Sequence, residues 1–144
     1  MRCAYSFSSS WVTPAPLEEV AATVVDLEHY PDWWPQVRAV VKLGPDTARV
    51  LCRSSLPYTL DLVLTAVSRE APSLEVAIAG DLDGWVRWTL SETPAGTRID
   101  VLQEVVATGA LAVVSSVARP ALTWNHRRMM EGAEAGLRAR LAPA

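Results

Sequence analysis

The 144-residue sequence contains two histidines, two cysteines and one phenylalanine, and Lys42 is the single lysine among its 13 basic residues. Each scarcity removes a class of function. His29, His126, Cys3 and Cys52 are too few and too scattered for a protein-built zinc site. Nucleic-acid affinity depends on clustered Lys and Arg displacing counterions from phosphates. Here the formal net charge is -3 and only Arg127 and Arg128 are adjacent. No uncharged run reaches the roughly 18 residues that a membrane span needs, and Met1 to Ser10 lacks the basic-then-apolar pattern of a signal peptide. A Gly-rich phosphate loop, a His-Glu-x-x-His pair, a Cys-x-x-Cys motif and a Gly-x-Ser-x-Gly elbow are also missing. These gaps predict a cytoplasmic chain with no metal, no cofactor and no nucleic-acid partner. The excess of arginine over lysine, with much Ala and Val, points to a GC-rich bacterial genome.

What is present is apolar. Half the residues are hydrophobic and 20% are charged, enough to bury one core, and residues 1–144 are expected to form a single domain. Tyr5 to Val12 alternate in part and stop at Thr13-Pro14, as a first strand would. From Leu17, Val20, Ala21, Val24 and Val25 recur at helical spacing behind an acidic first turn, Glu18 and Glu19, and the helix should end between Asp26 and His29. Tyr30-Pro31-Asp32-Trp33-Trp34-Pro35 then makes an aromatic turn between two prolines.

After that turn the period becomes two. Val37, Ala39 and Val41 alternate with polar or outward neighbours, and Arg49 to Ser54 is the second strand of a pair with them. Leu60, Leu62 and Leu64 also alternate, followed by Leu74, Val76 and Ile78. Val86, Trp88 and Leu90 form the next series, and Ile99, Val101, Gln103 and Val105 the last. Gly44-Pro45-Asp46, Ala71-Pro72-Ser73, Gly80-Asp81 and Pro94-Ala95-Gly96 punctuate these runs, so six consecutive strands form an antiparallel meander with one buried face. Ala110 to Leu141 returns to helical spacing, with Leu111, Val114, Val117, Ala118, Leu122, Met129, Ala133, Leu137 and Leu141 near one face. Pro120 should kink this helix or mark its start. The expected class is α+β: about seven antiparallel strands, one or two short helices after the first, and a long C-terminal helix across the sheet.

This order, with Trp33-Trp34-Pro35, Leu56-Pro57-Tyr58, Gly80-Asp81-Leu82-Asp83-Gly84, Arg87-Trp88 and Trp124-Asn125-His126, resembles the polyketide cyclase/dehydrase-like branch of the START and pollen-allergen-like (SRPBCC) superfamily over the whole chain. The resemblance implies a helix-grip fold, in which a bent sheet wraps the C-terminal helix around a deep apolar cavity. Members carry hydrophobic ligands or shape polyketide chains for cyclisation. Gln103 stands where relatives tend to place an aromatic, and Trp85 and Val86 stand where residues are small, so cavity volume and polarity should differ here.

On the C-terminal helix, Leu122, Asn125, Met129 and Gly132 share one face, with His126, Met130 and Ala133 beside them. The resemblance turns that face to the cavity. Asn125 and His126 would either orient a ligand or anchor the helix to its surroundings. Met129 and Met130 would adapt to a ligand or fill gaps. Gly132 and Gly136 would allow the helix to approach the sheet closely or leave room for a ligand. Trp33 and Trp34 would gate the mouth or plug the core, and Trp88 would be a stacking wall or core. Gln103 is a polar break in a buried series. Trp85 should face outward and be exposed, the one hint of a dimer contact. Arg53 and Asp61 would lie on the solvated surface or pair across adjacent strands, and His29 would cap a helix or lie in solvent.

The candidate ligand-binding set is therefore Trp34, Tyr58, Trp88, Gln103, Leu122, Asn125, His126 and Met129, with His126 the candidate for any proton transfer. The expected partner is a small hydrophobic molecule, such as a polyketide-like aromatic, lipid or isoprenoid. The pocket should be of the usual size, on the order of 300 to 1,000 Å³. The alternative is an aromatase/cyclase-type enzyme using the same cavity, and the assembly is a monomer or a homodimer.

Overall fold

The computed structural model describes residues 3–142, and the elements follow the expected order. Strand β1 (Cys3–Thr13) is followed by helix α1 (Leu17–Val25) and a 3-10 helix (Leu27–Asp32). Six strands come next: β2 (Val37–Lys42), β3 (Thr47–Cys52), β4 (Leu60–Ser68), β5 (Ser73–Gly80), β6 (Leu82–Thr93) and β7 (Gly96–Ala107). Helix α2 (Gly109–Leu141) ends the chain. The strands form one antiparallel sheet in the order β1-β7-β6-β5-β4-β3-β2, a meander with β1 returned to the far edge beside β7. This is the helix-grip arrangement.

The two-residue period sets which side chains look inward. Ile99, Val101 and Val105 of β7, Trp88 and Leu90 of β6, Leu74 and Ile78 of β5 and Leu60 and Leu62 of β4 are all buried, because alternate residues on a strand share a face. At β2 the alternation fails. Val37 is buried, but the register shifts between Val37 and Ala39, and Val41 is exposed. A bulge adds one residue to a strand and flips the facing of every side chain beyond it.

The long helix departs from the expected face in its first third. Val114 and Val117 are exposed, while Ser115 is buried. Ala118 has non-helical angles (φ -125, ψ 29) two residues before Pro120, so the helix is two straight segments with different phases. Proline is tolerated in the first turn of the second segment, where its missing N–H leaves no bond unmade.

The second segment is clamped at its far end. An added Cβ on Gly136 would collide with the backbone carbonyl of Trp33, and one on Gly132 with the side chain of Gln36. The close approach that these glycines permit is thus to the turn between the 3-10 helix and β2 rather than to the sheet. Trp33 is buried in that contact, stacked on Trp34 at 5.7 Å and set edge-on to Tyr30 at 4.9 Å. Of the two readings for Trp33, core plug is the one observed.

Candidate functional site

Between the concave face of the sheet and α2 lie two small adjoining chambers. The inner one, about 40 Å³, is bounded by Tyr5, Phe7, Tyr58, Ser115, Asn125 and His126 among others. The middle one, about 90 Å³, lies against Trp34, Trp88, Gln103, Met130 and the inward residues of β3 to β6. Leu60, Leu82, His126 and Met129 border both. All eight residues of the candidate set line one chamber or the other: Tyr58, Leu122 and Asn125 the inner, Trp34, Trp88 and Gln103 the middle, and His126 and Met129 both. The expected volume is corrected downward. Met129, Met130 and Trp88, all buried, are among the side chains that bound the two chambers, which fall short of a pocket of usual size.

The polar groups here are unequally committed. Asn125 is buried, its Oδ1 accepts from the backbone N–H of Leu56 (2.8 Å), and its Nδ2 donates to the Tyr58 hydroxyl (3.0 Å). Both ends of the amide therefore hold the 56–58 segment against α2, which is the anchoring role. Tyr58, having accepted that bond, keeps its own proton to donate, and burial raises its hydroxyl above the ordinary phenol value. The Tyr5 hydroxyl lies 2.5 Å from Ser115 Oγ, bounding the inner chamber beneath the first segment of α2. Trp34 Nε1 donates to the carbonyl of Met129 (2.9 Å), joining the chamber wall to the helix.

His126 is different. Its ring stacks on Phe7 at 3.7 Å between centroids and 22° between planes, and Nε2 is buried with no hydrogen-bond partner. Burial pushes its pKa down to about 4, so the imidazole is neutral at neutral pH: charging it would place a cation in apolar surroundings without compensation. Two other buried side-chain atoms among the described residues lack partners, Gln36 Oε1 and Ser54 Oγ, and neither residue lines a chamber. An unmet buried polar atom costs roughly 1–3 kcal/mol.

A third space was missed by sequence reasoning and is the largest. A groove of about 360 Å³ opens between the end of α1 with the 3-10 helix and the turns joining β2–β3 and β4–β5. Leu27, Tyr30, Val76 and Trp88 border both it and the middle chamber. Its outer rim carries Glu28 with Lys42 (3.6 Å) and Asp46 with Arg69 (2.8 Å). The signal was divided among three short turns far apart in the chain, none of them distinctive alone.

Several expected contacts are reassigned. Asp61 pairs with Arg49, not Arg53, through two guanidinium bonds of 2.9 and 2.5 Å, because β3 sets Arg49 opposite Val63 and Arg53 lies beyond the strand's end. Arg49 holds the Asp61 carboxyl below its usual value. Trp85 is half-buried under the Arg87 guanidinium, 4.8 Å from its ring, so the exposed tryptophan is Trp124 instead. His29 is exposed, with Nδ1 2.8 Å from the Asp26 carboxylate. Cys52 is a free, buried thiol whose pKa burial pushes up to about 12, an inert core residue. Among the described residues no helix is long and apolar enough to cross a membrane.

The family model for polyketide cyclase/dehydrase and lipid transport matches residues 5–142. No curated protein matches the sequence. Solved structures share the fold at low identity. A START superfamily protein from Mycobacterium smegmatis aligns at 17% identity and a TM-score of 0.74, over 96% of each chain. The Zhui aromatase/cyclase of a Streptomyces species aligns at 12% identity and a TM-score of 0.75, over 98% of this chain and 94% of that one. A conserved protein from Geobacillus kaustophilus gives 10% identity and a TM-score of 0.77, over 99% and 95%. The chain belongs to the polyketide cyclase/dehydrase and lipid transport family.

Proposed function

We propose that this family member binds a small hydrophobic ligand carrying at least one hydrogen-bonding group, in the chambers between sheet and α2. The observation that carries this reading is His126 Nε2, a buried and unmet polar atom of a residue that borders two apolar chambers. Apolar walls supply affinity at roughly 25 cal/mol per Å². A ligand hydroxyl can either donate to or accept from a neutral imidazole, whose tautomer follows its partner. The free proton of Tyr58 gives a second directional contact at the inner end.

Two naphthalene-sized probes, one with a hydroxyl and one without, test this by quenching of tryptophan fluorescence, since Trp34 and Trp88 line the middle chamber. The hydroxylated probe should bind about tenfold more tightly, and His126→Phe should erase that difference while retaining affinity for the plain hydrocarbon. Equal affinity of the native protein for both probes would defeat the assignment.

An aromatase/cyclase activity is the second reading, favoured by the likeness to an aromatase/cyclase structure. In it the chambers would confine a reactive chain away from water. With its pKa near 4, His126 would be a weak general base at neutral pH. Its use in such a step would be to hold an enol or ketone oxygen. Unchanged product profiles from a reactive poly-β-keto substrate with and without the protein would remove this reading.

A further inference from the structure

One row of side chains runs under all three spaces. Phe7 of β1 pairs in register with Gln103 of β7, Gln103 with Val86 of β6, Val86 with Val76 of β5, and Val76 with Ala66 of β4. Phe7 lines the inner chamber, Gln103 and Val86 the middle one, and Ala66 the lateral groove, with Val76 shared between the last two. Five strands at ~4.8 Å spacing make this floor about 19 Å long. Two partitions cross it. The outer is Leu27, Tyr30, Val76 and Trp88; the inner is Leu60, Leu82, His126 and Met129. Apart from Tyr30 and Trp88, these are aliphatic or thioether side chains and one imidazole held by stacking, groups that change rotamer without breaking a hydrogen bond. Among them only Tyr30 makes a side-chain hydrogen bond, to the carbonyl of Val24.

We infer that the lateral groove is the entrance and outer chamber of a single segmented conduit, which takes an elongated ligand end-on, its apolar chain over the Ala66-to-Phe7 floor and its polar end at the rim of paired charges, Glu28 with Lys42 and Asp46 with Arg69. The inference rests on the ligand-binding reading and adds the route, the shape of the ligand and its direction. The groove alone reaches the size of ordinary small-molecule sites, about 360 Å³. Its inner wall is the outer wall of the middle chamber, so a chain seated in it needs side-chain rotation rather than opening of the fold. The rim offers a polar group charged partners: Asp26, Glu28, Lys42, Asp46 and Arg69. The opposite end is smaller, bounded by Phe7, His126 and the Tyr5–Ser115 contact.

Straight-chain carboxylates of about 6 to 16 carbons, chosen to bracket the floor length, test the inference when titrated against tryptophan fluorescence. Dissociation constants should fall about three- to fourfold per added methylene until the conduit is filled. Val25→Trp and Ala66→Trp, at the rim and at the groove end of the floor, should each weaken every chain length about tenfold or more. Val25 is already exposed, so its variant keeps the test available if Ala66→Trp fails to fold by circular dichroism. Met129→Ala removes part of the inner partition and should strengthen binding only of chains long enough to reach it. If the naphthalene-sized probes bind but chain length and both rim variants are without effect, the conduit is wrong and the chambers fill by another route. If neither kind of probe binds, the ligand-binding reading falls with it.

Discussion

Between Gly109 and Ala118, α2 exposes Val113, Val114 and Val117, whereas from Pro120 onward it buries Leu122, Asn125, Met129, Met130, Ala133 and Leu137. The first segment is held by the Tyr5–Ser115 hydroxyl contact, and just beyond it Arg119 donates to the carbonyl of Ala4 and lies 4.1 Å above the Tyr5 ring. The second is held by Asn125, by Trp34 on Met129, and by backbone contact at Gly136. One continuous stretch of helical sequence therefore has two mechanical roles. The second segment is structural core and carries the site, while the first rests on the inner chamber as a loosely held cover. Local stability follows the density of buried apolar contact, so the cover should open at lower free energy than the core.

The largest expected effect contrasts two aliphatic truncations in the same helix. Leu137 is 1% exposed and Val117 is 85% exposed. Leu137→Ala should cost about 2–5 kcal/mol, as removal of a buried side chain leaves a cavity, while Val117→Ala should stay within about 0.5 kcal/mol of the parent. Urea unfolding measures both. Comparable losses would erase the distinction between the segments.

A pH effect comes next and belongs to the core segment. His126 titrates near 4 when folded, against 6.5 for an ordinary histidine, so between those values the unfolded chain binds the extra proton. Stability should therefore be full above pH 6.5, decline as pH falls toward 4, and level off below, by a total on the order of 3 kcal/mol. His29, exposed and raised by Asp26, acts with the opposite sign. Unfolding curves of His126→Phe should lose the decline; if the slope persists, the burial of His126 is not its source.

Gly136→Ala isolates the clamp. Alanine is the better helix former by about 1 kcal/mol, yet its Cβ would meet the Trp33 carbonyl, and overpacking of this kind costs about 1–3 kcal/mol. The expected outcome is a net loss of stability with a lowered melting temperature. A gain would mean that the turn at Trp33 yields easily and the clamp is soft.

These contrasts show where the sequence could be read. The meander was legible because Leu60, Leu62, Ile99 and Val101 each have a long strand neighbour to hide behind, and alternation survives wherever register is regular. It failed at Val41, where a bulge intervenes, and at Val114 and Val117, where the break at Ala118 resets the helical phase. The candidate side chains were legible as polar interruptions of buried faces. Their commitments were not: Asn125 is spent on Leu56 and Tyr58, in a loop up to 69 residues distant, and His126 is left unpaired against Phe7 of β1. The lateral groove was invisible for the same reason, since it is an arrangement of three turns and has no local signature.

The smallest stability effect is expected at the joint itself. Pro120 sits in the first turn after the break, where a proline ring fits and no hydrogen bond is forfeited, so Pro120→Ala should change unfolding free energy by about 0.5 kcal/mol or less. Its consequence should appear instead in how the cover moves. Without the ring, its steric bar to a continuous helix through Ala118 is gone, and straightening against the Tyr5–Ser115 and Arg119 contacts would lift Ser115 away from Tyr5 and open the inner chamber further. Amide exchange over residues 109–118 should then accelerate while exchange over residues 122–137 stays unchanged. Uniform protection along the helix in this variant would show that the cover is held by its own contacts and that the break is only a change of direction.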